Sequence, residues 1–447
     1  MDALSLEQVA AAVDGRLLAG SGTVTGACID SRRCQRGDLF VALPGARSDG
    51  HRYLGAARAA GAIAALVARP VDDLLPQILV AEPALALARL GAAVRRAVSA
   101  RLVGLTGSNG KTTVKELLAA ALGRHGPTLA TEGNLNNHLG VPLTLCRLAT
   151  GHRYGVVEMG ANHRGEIGPL TDLVRPQVGL VTNAGPAHLE GFDGLEGVAL
   201  GKGELFQQLP ADAVAVINAD DRFAPLWREM AGPRRVLSFG FDPGADVRLE
   251  QAAGHDWLVS GGERLALPQL PPGRHHRANA MAAAAALAAL DLPAGTLAAV
   301  LAERPPVPGR LQQRPGRGGV RLLDDTYNAN PASLAAALEV LGGEPPPRWL
   351  VLGDMGELGA DGPALHRAAG RQALEQGVER LYACGPLAAE AAAAFGPGGY
   401  SFADRERLIR ALREELVAGA TVLVKGSRAA AMEQVVAALA AESGGEG

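Results

Sequence analysis

Apolar runs of strand length alternate with helical stretches along most of this chain, and the alternation falls into three blocks. In the first, residues 1–82, strands are expected at 23–30, 39–43 and 62–67, with a helix over 53–60. Pro70, Pro76 and Pro83 punctuate its end. The second block, 83–309, opens with a helix and the buried-type strand 101–105. A glycine-rich loop then leads into a helix over 111–122, and further strands are expected at 154–158, 178–183 and 213–218. The alanine-rich run 281–290 is too short to span a bilayer and reads as a buried helix. Pro305, Pro306 and Pro308 form a stiff hinge before the third block, 310–447. There, strands at 320–325, 348–352, 380–384 and 421–425 alternate with helices, and 314–319 reads as a hairpin or loop. The tail 442–447 is expected to fray.

Strands alternating with helices imply a parallel sheet covered on both faces. The fold class is therefore α/β in three domains: a small α/β first domain, a central parallel sheet, and a smaller doubly wound last domain. With 447 residues, each domain can bury its own core. A net charge of −3 argues against nucleic acid or an anionic membrane as partner. The start Met1-Asp2-Ala3-Leu4-Ser5 has no basic, apolar leader pattern, and no integral membrane segment is expected. Cys28, Cys34, Cys146 and Cys384 contain no CxxC pair and are expected to be free, small core fillers in a reducing cytoplasm.

Basic residues change the picture. Only four lysines occur, Lys111, Lys115, Lys202 and Lys425; the other thirty-nine basic residues are arginines. Guanidinium cannot replace a compact ammonium on phosphate, nor an amine that must lose its proton. Lys111 lies in Gly107-Ser108-Asn109-Gly110-Lys111-Thr112-Thr113, between an expected strand and an expected helix. Backbone N–H groups of such a loop close on phosphate oxygens, the lysine reaches the β- and γ-phosphates, and the Thr112 hydroxyl holds Mg²⁺. Leu105 occupies the first glycine of the longer phosphate-loop pattern, so the short GxxGKTT form is present. No lysine stands in an Asn-Lys-x-Asp guanine-reading motif, which favours ATP over GTP.

A metal held by Thr112 needs a carboxylate, and Glu158 ends the strand 154–158. A strand-end carboxylate also serves as a helix cap. His188 follows the strand 178–183; by itself it reads as a loop histidine, and beside such a metal as a ligand. Lys202 lies in Gly201-Lys202-Gly203 and reads as a turn. A lone lysine there reads as a solvated surface charge or, in a chain with so few, as an amine that can deprotonate and become nucleophilic where its environment disfavours charge.

These segments together resemble the Mur ligases of bacterial cell-wall synthesis. The resemblance covers nearly the whole chain through Asp30-Ser31-Arg32, TGSNGKTTVKE, GNLNNHLGVPLTL, VVEMGANHRGEI, AHLEGF, GKGELF, GRHHRAN, VPGRL, DDTYNANPASL, LGDMGELG and VLVKGSRAAAMEQVV. The phosphate loop alone fits any Mur ligase or a folylpolyglutamate synthase. GNLNN, DDTYNANP and LGDMGELG are narrower, and point to the member that joins D-Ala-D-Ala to UDP-N-acetylmuramoyl-tripeptide.

The resemblance implies an ATP-binding central domain with a P-loop ATPase-like sheet (83–309), a UDP-sugar-binding first domain (1–82) and a Rossmann-like last domain that binds the dipeptide (310–447). It implies two Mg²⁺ ions, with Thr112, Glu158, His188 and a carbamylated Lys202 around them. Asn279 would lie in the adenine region, while Arg310 and Asp325 would close over the nucleotide. Ser31 and Arg32 would hold the UDP diphosphate, and Asn134, Asn136 and Asn137 would line the substrate path. Asp354, Glu357, Lys425 and Arg428 are candidates for the peptide site; capping or interdomain pairing would explain them equally well. His138 and Arg277 depart from the family pattern. The expected product is a monomeric amide ligase. A nucleotide-dependent switch would need the loop but neither Lys202 nor a third, nucleotide-closing domain.

Overall fold

The computed structural model describes residues 1–45, 48–186, 189–252, 254–268, 270–271, 273–303 and 308–441. His188, Pro305, Pro306 and the tail 442–447 lie outside them, so neither the metal-ligand expectation for His188 nor most of the hinge can be placed.

Three large sheets organise the chain. The first has five strands in the order Arg16–Ala19, Gln77–Leu79, Ala64–Val67, Asp38–Val41, Gly26–Cys28, parallel except for the first. The strand expected over 23–30 is broken in two. Thr23–Val24 pairs with Leu4–Ser5 in a separate ribbon, and Gly26–Cys28 joins the sheet. The break falls at Thr25, whose N–H donates to the Gly37 carbonyl at 2.9 Å. The helix expected over 53–60 is Leu54–Ala60, preceded by a 3₁₀ turn at Gly50–Tyr53.

The cysteine expectation is corrected here. Cys28 and Cys34 form a disulfide, whereas Cys146 and Cys384 are free. A tight turn in which the Arg33 N–H donates to the Asp30 carbonyl at 2.9 Å brings the pair together, a proximity that CxxC spacing does not capture.

The second sheet has nine strands. Arg101–Thr106 is third from one end, between Tyr154–Glu158 and Val178–Val181, and runs parallel to both. Every residue of Tyr154–Glu158 is buried, as expected of a strand covered on both faces. Lys111–Gly123 and the alanine-rich helix Arg274–Ala289 cover one face. Pro83–Ala97, Ile167–Val174 and Leu195–Gln208 cover the other. At one end, Val247–Ala252, His255–Ser260 and Glu263–Ala266 extend the sheet as an antiparallel meander. Half-exposed, this meander has no continuous apolar run of the kind that marked the buried strands; its signal is the weaker apolar–polar alternation of Val247-Arg248-Leu249-Glu250.

The third sheet has six strands in the order Gln312–Pro315, Arg321–Asp325, Thr421–Lys425, Arg348–Gly353, Arg380–Cys384, Gly399–Phe402. All its pairings are parallel except the first, where the hairpin expected at 314–319 turns. Among the described residues no helix is long and apolar enough to cross a membrane.

Candidate nucleotide and metal site

The carboxyl ends of the central strands open into a cavity of about 1070 Å³, which also takes residues from the third sheet. Doubly wound sheets place ligands at this edge. The loop between Arg101–Thr106 and Lys111–Gly123 forms its floor.

Two glycines set the loop's shape. Gly107 has φ +145°, and a Cβ there would lie 1.9 Å from Thr182 Oγ1. Gly110 has φ +84°, and a Cβ there would lie 2.3 Å from Asn279 Oδ1. The strand expected over 178–183 ends at Val181, and the chain leaving it holds the loop from beside through Thr182 and Asn183. The Asn109 N–H donates to Asn183 Oδ1 at 3.0 Å, and the Thr182 hydroxyl donates to the Asn109 carbonyl at 2.6 Å. Gly110 caps the helix without a side-chain bond, so the first N–H groups of a 13-residue helix and its positive dipole end face the cavity.

Lys111 Nζ donates to the Gly107 and Ser108 carbonyls at 2.5 and 3.3 Å. Burial pushes its pKa down, nearby Glu158 opposes that, and Arg310 adds to it. The Thr112 hydroxyl donates to Glu158 Oε2 at 3.2 Å, and Asn136 Nδ2 donates to Oε1 at 2.9 Å. Glu158 is 2 % exposed, and its own N–H donates to Thr131 Oγ1 at 2.9 Å. A buried carboxylate beside a hydroxyl at the start of a helix is a donor set suited to a hard divalent cation.

Lys202 is not in a turn. It lies inside the helix Leu195–Gln208, and its flanking glycines permit close packing. A Cβ at Gly201 would lie 2.5 Å from the Phe192 ring, and one at Gly203 would lie 2.4 Å from Met230 Sδ. Lys202 Nζ donates to the Ala161 carbonyl at 3.3 Å and sits 5.0 Å from the centre of the Phe192 ring. Burial first, and then Lys111, lower its pKa to about 7; Glu166 and Glu204 oppose the shift.

The third sheet closes the cavity. Lys425 pairs with Asp325 at 2.5 Å and donates to the Asn328 carbonyl at 3.0 Å. The Arg310 guanidinium lies 4.1 Å from the centre of the Tyr327 ring, with Nε buried and unbonded. Asn330 Nδ2 donates to Asn109 Oδ1 at 2.8 Å, a direct bond from the third sheet's first loop to the phosphate loop.

Of the residues singled out in the sequence, Gly107, Ser108, Asn109, Gly110, Lys111, Thr112, Thr113, Asn134, Asn136, Asn137, Glu158, Lys202, Asn279, Arg310, Asp325, Glu357, Lys425 and Arg428 all line this cavity. Asn137 also caps the helix Gly140–Leu145 by accepting from the Gly140 N–H at 2.9 Å. Three residues stand elsewhere. Asp354 accepts from the Ala388 N–H at 2.7 Å and so caps the helix Pro386–Phe395. Ser31 and Arg32 lie in the turn between the disulfide cysteines, with Arg32 exposed and paired to Asp30 at 2.7 Å. Of the two departures, His138 lines the cavity, whereas Arg277 pairs with Asp256 at 2.8 Å.

Several lining residues were not singled out. His275 and His276 have ring centres 4.1 Å apart with planes tilted by 43°, His275 Nδ1 and His276 Nε2 are buried and unbonded, and burial lowers their pKa values to about 4 and about 3. Their place in GRHHRAN, just before Asn279, was the available signal. Asn330 was visible as an Asn-Pro-x-Ser helix start, which it is, but its bond to Asn109 was not.

Three family models match the chain: the Mur ligase middle domain over 105–287, the Mur ligase glutamate ligase domain over 309–428, and the Mur ligase family catalytic domain over 23–95. The chain is 43 % identical to the UDP-N-acetylmuramoyl-tripeptide–D-alanyl-D-alanine ligase of Escherichia coli K12, covering 98 % of this chain and 99 % of that one. It is 37 % identical to the Haemophilus influenzae ligase of the same name, over 92 % of each. A crystal structure of MurF from Acinetobacter baumannii superposes with a TM-score of 0.89 at 34 % identity, covering 98 % of both chains. One of MurF ligase from Thermotoga maritima in complex with ADP gives a TM-score of 0.79 at 29 % identity, covering 92 % of this chain and 96 % of that one. With its middle and C-terminal models matched in order and relatives aligned nearly end to end, the chain belongs to the Mur ligase family.

Proposed function

We propose that this chain joins D-Ala-D-Ala to UDP-N-acetylmuramoyl-tripeptide and converts ATP to ADP and phosphate as it does so. The observation that carries this reading is the convergence of Lys111, Thr112, Glu158 and Lys202 with Asp325 and Lys425 in one cavity. The relatives that align nearly end to end carry that activity in their names.

The residues present fit a nucleoside triphosphate and its metal. The glycine cradle has no room for a Cβ, buried nitrogens of His275, His276 and Arg310 lack partners, and Glu158 stands beside the Thr112 hydroxyl. Thr112, Glu158, His188 and a carbamylated Lys202 would hold two Mg²⁺ ions, which supply charge neutralisation on the phosphate oxygens. The neutral amine of Lys202 attacks CO₂: the N–C bond forms as a C=O π bond breaks, and the nitrogen then loses one proton, so a buried neutral amine becomes an anion. An amine with a pKa near 7 is available for this at neutral pH.

The tripeptide carboxylate attacks the γ-phosphorus, and the bond to the bridging oxygen breaks to release ADP. The dipeptide amine then attacks the acyl carbon, the C–O bond breaks, phosphate leaves, and the nitrogen loses a proton. Lys111 and the loop N–H groups stabilise charge developing on the transferring phosphoryl group. Arg310 and Asp325 close over the nucleotide near Asn279, and closure keeps water from the acyl phosphate. In this reading residues 1–82 hold the UDP-sugar through Ser31 and Arg32, 83–309 carry ATP, and 310–447 deliver the dipeptide near Glu357, Lys425 and Arg428. Asn134, Asn136 and Asn137 border the path of the peptide.

The test measures ADP release with UDP-N-acetylmuramoyl-tripeptide and either D-Ala-D-Ala or single amino acids. Release should require both the UDP-peptide and the dipeptide. Equal release with L-Ala, D-Glu, L-Lys or meso-diaminopimelate would assign a different ligase of the family. Release with folate and glutamate would assign a folate-type ligase. Lys111→Ala should slow turnover ~10²–10³-fold.

A further inference from the structure

Three of the four lysines line the cavity; the fourth, Lys115, does not. It stands one turn beyond Lys111 on the same helix, and it is 1 % exposed. In a chain that otherwise uses arginine thirty-nine times, a fully buried lysine outside the cavity calls for a cause.

Its contacts supply one. Lys115 Nζ donates to the Thr131 carbonyl at 2.8 Å and pairs with Glu116 at 3.1 Å. Thr131 follows the edge strand Thr128–Ala130 and is itself 2 % exposed. Its N–H donates to the Val156 carbonyl at 3.0 Å, and its hydroxyl accepts from the Glu158 N–H at 2.9 Å. Beyond Thr131 the chain runs directly to Asn136, whose amide donates to the Glu158 carboxylate. Both the backbone and the carboxylate of Glu158 are thus held by the segment that begins at Thr131, and Lys115 bonds that segment to the phosphate-loop helix.

We propose that Lys115 is a positioning residue that sets the Glu158 carboxylate against Thr112 by clamping Thr131. The lysine does not touch the reacting atoms. It fixes the spacing between the helix that carries Thr112 and the strand that carries Glu158, so the two metal-binding oxygens move as one unit. Lysine suits this place because a compact ammonium fits between one carbonyl and one carboxylate, whereas a planar fork needs more room. The inference rests on the reading that Glu158 holds a divalent cation.

The test uses the full chain with Mn²⁺ as spin probe and ADP present, comparing Lys115→Met and Glu158→Gln. Lys115→Met should weaken Mn²⁺ binding by about 10- to 100-fold, the range for groups that orient metal ligands. The Mg²⁺ concentration for half-maximal activity should rise in parallel. Lys115→Arg should fall between Met and the parent. A lysine that merely stabilised the fold would lower the melting temperature and leave Mn²⁺ affinity where it was, and that result overturns the proposal. Unchanged binding in Glu158→Gln would instead overturn the metal reading itself, so the two failures are distinct. If Lys115→Met does not fold, Lys115→Gln reads the same clamp, because it keeps a polar donor but is too short to hold the Thr131 carbonyl as the ammonium does. Weakened Mn²⁺ binding then supports the clamp, and unchanged binding overturns it.

Discussion

Lys202, inside the helix Leu195–Gln208, and Lys425, at the end of the strand Thr421–Lys425, face the same cavity, and both are 2 % exposed. Burial drives both pKa values down, yet the partners differ. Lys425 meets the Asp325 carboxylate, which works against the shift and favours a permanent ammonium. Lys202 meets a carbonyl and an aromatic face, and Lys111 adds repulsion. Two lysines of equal burial are therefore fitted for opposite tasks, one as a fixed cation and one as an amine that can react. Burial raises the cost of charge, and the nearest partner decides whether the charge survives.

The strongest way to break this contrast is Lys202→Ala. Turnover should fall ~10²–10³-fold, as for other groups that stabilise transition-state charge. Added short carboxylates should restore part of it. Full activity without rescue would remove the carbamate role.

Lys425→Met tests the other half. It leaves Asp325 buried without its cation, at a cost of ~3–5 kcal/mol in urea unfolding. Lys425→Met combined with Asp325→Asn should recover part of the loss. A single variant as stable as the parent would show that the pair contributes nothing.

The pH response sharpens the comparison. Lys202 has a folded pKa of about 7 against an ordinary 10.5, so its ammonium form penalises the folded state. That penalty is complete below about 7 and fades as pH rises towards 10.5. In CO₂-free buffer, stability should therefore rise across this window, and Lys202→Met should flatten the rise. Amine-directed labelling read by mass spectrometry should modify Lys202 with a midpoint near pH 7 and spare Lys425. Equal labelling of the two would erase the distinction.

The smallest effect belongs to Asn330→Ala, which deletes the bond between the third sheet's loop and Asn109. A loss of ~0.5–1.5 kcal/mol in unfolding is expected. No change would mean that the third sheet closes the cavity without that bond.

Much of this was legible in the chain itself. The apolar runs placed Tyr154–Glu158, Arg380–Cys384 and Thr421–Lys425 to the residue, because strands buried on both faces leave continuous hydrophobic stretches. The meander Val247–Ala252, His255–Ser260, Glu263–Ala266 escaped, because edge strands open to water carry no such run. Glycines flanking a lysine suggested a turn at 201–203. The helix there uses them for clearance from Phe192 and Met230, a need that only the packed neighbours create.

Local order along the chain determined the three-block α/β plan, the phosphate loop with its lysine and threonine, and the carboxylate at a strand end, since each depends on residues adjacent in sequence. Tertiary structure alone decided that Cys28 bonds Cys34, that Asp354 caps a helix, that Asn330 reaches Asn109, and that Lys202 titrates near 7 while Lys425 keeps a carboxylate. The physical reason is that charge, reactivity and pairing depend on what lies within a few ångströms. At this cavity most of those neighbours come from tens to hundreds of residues away.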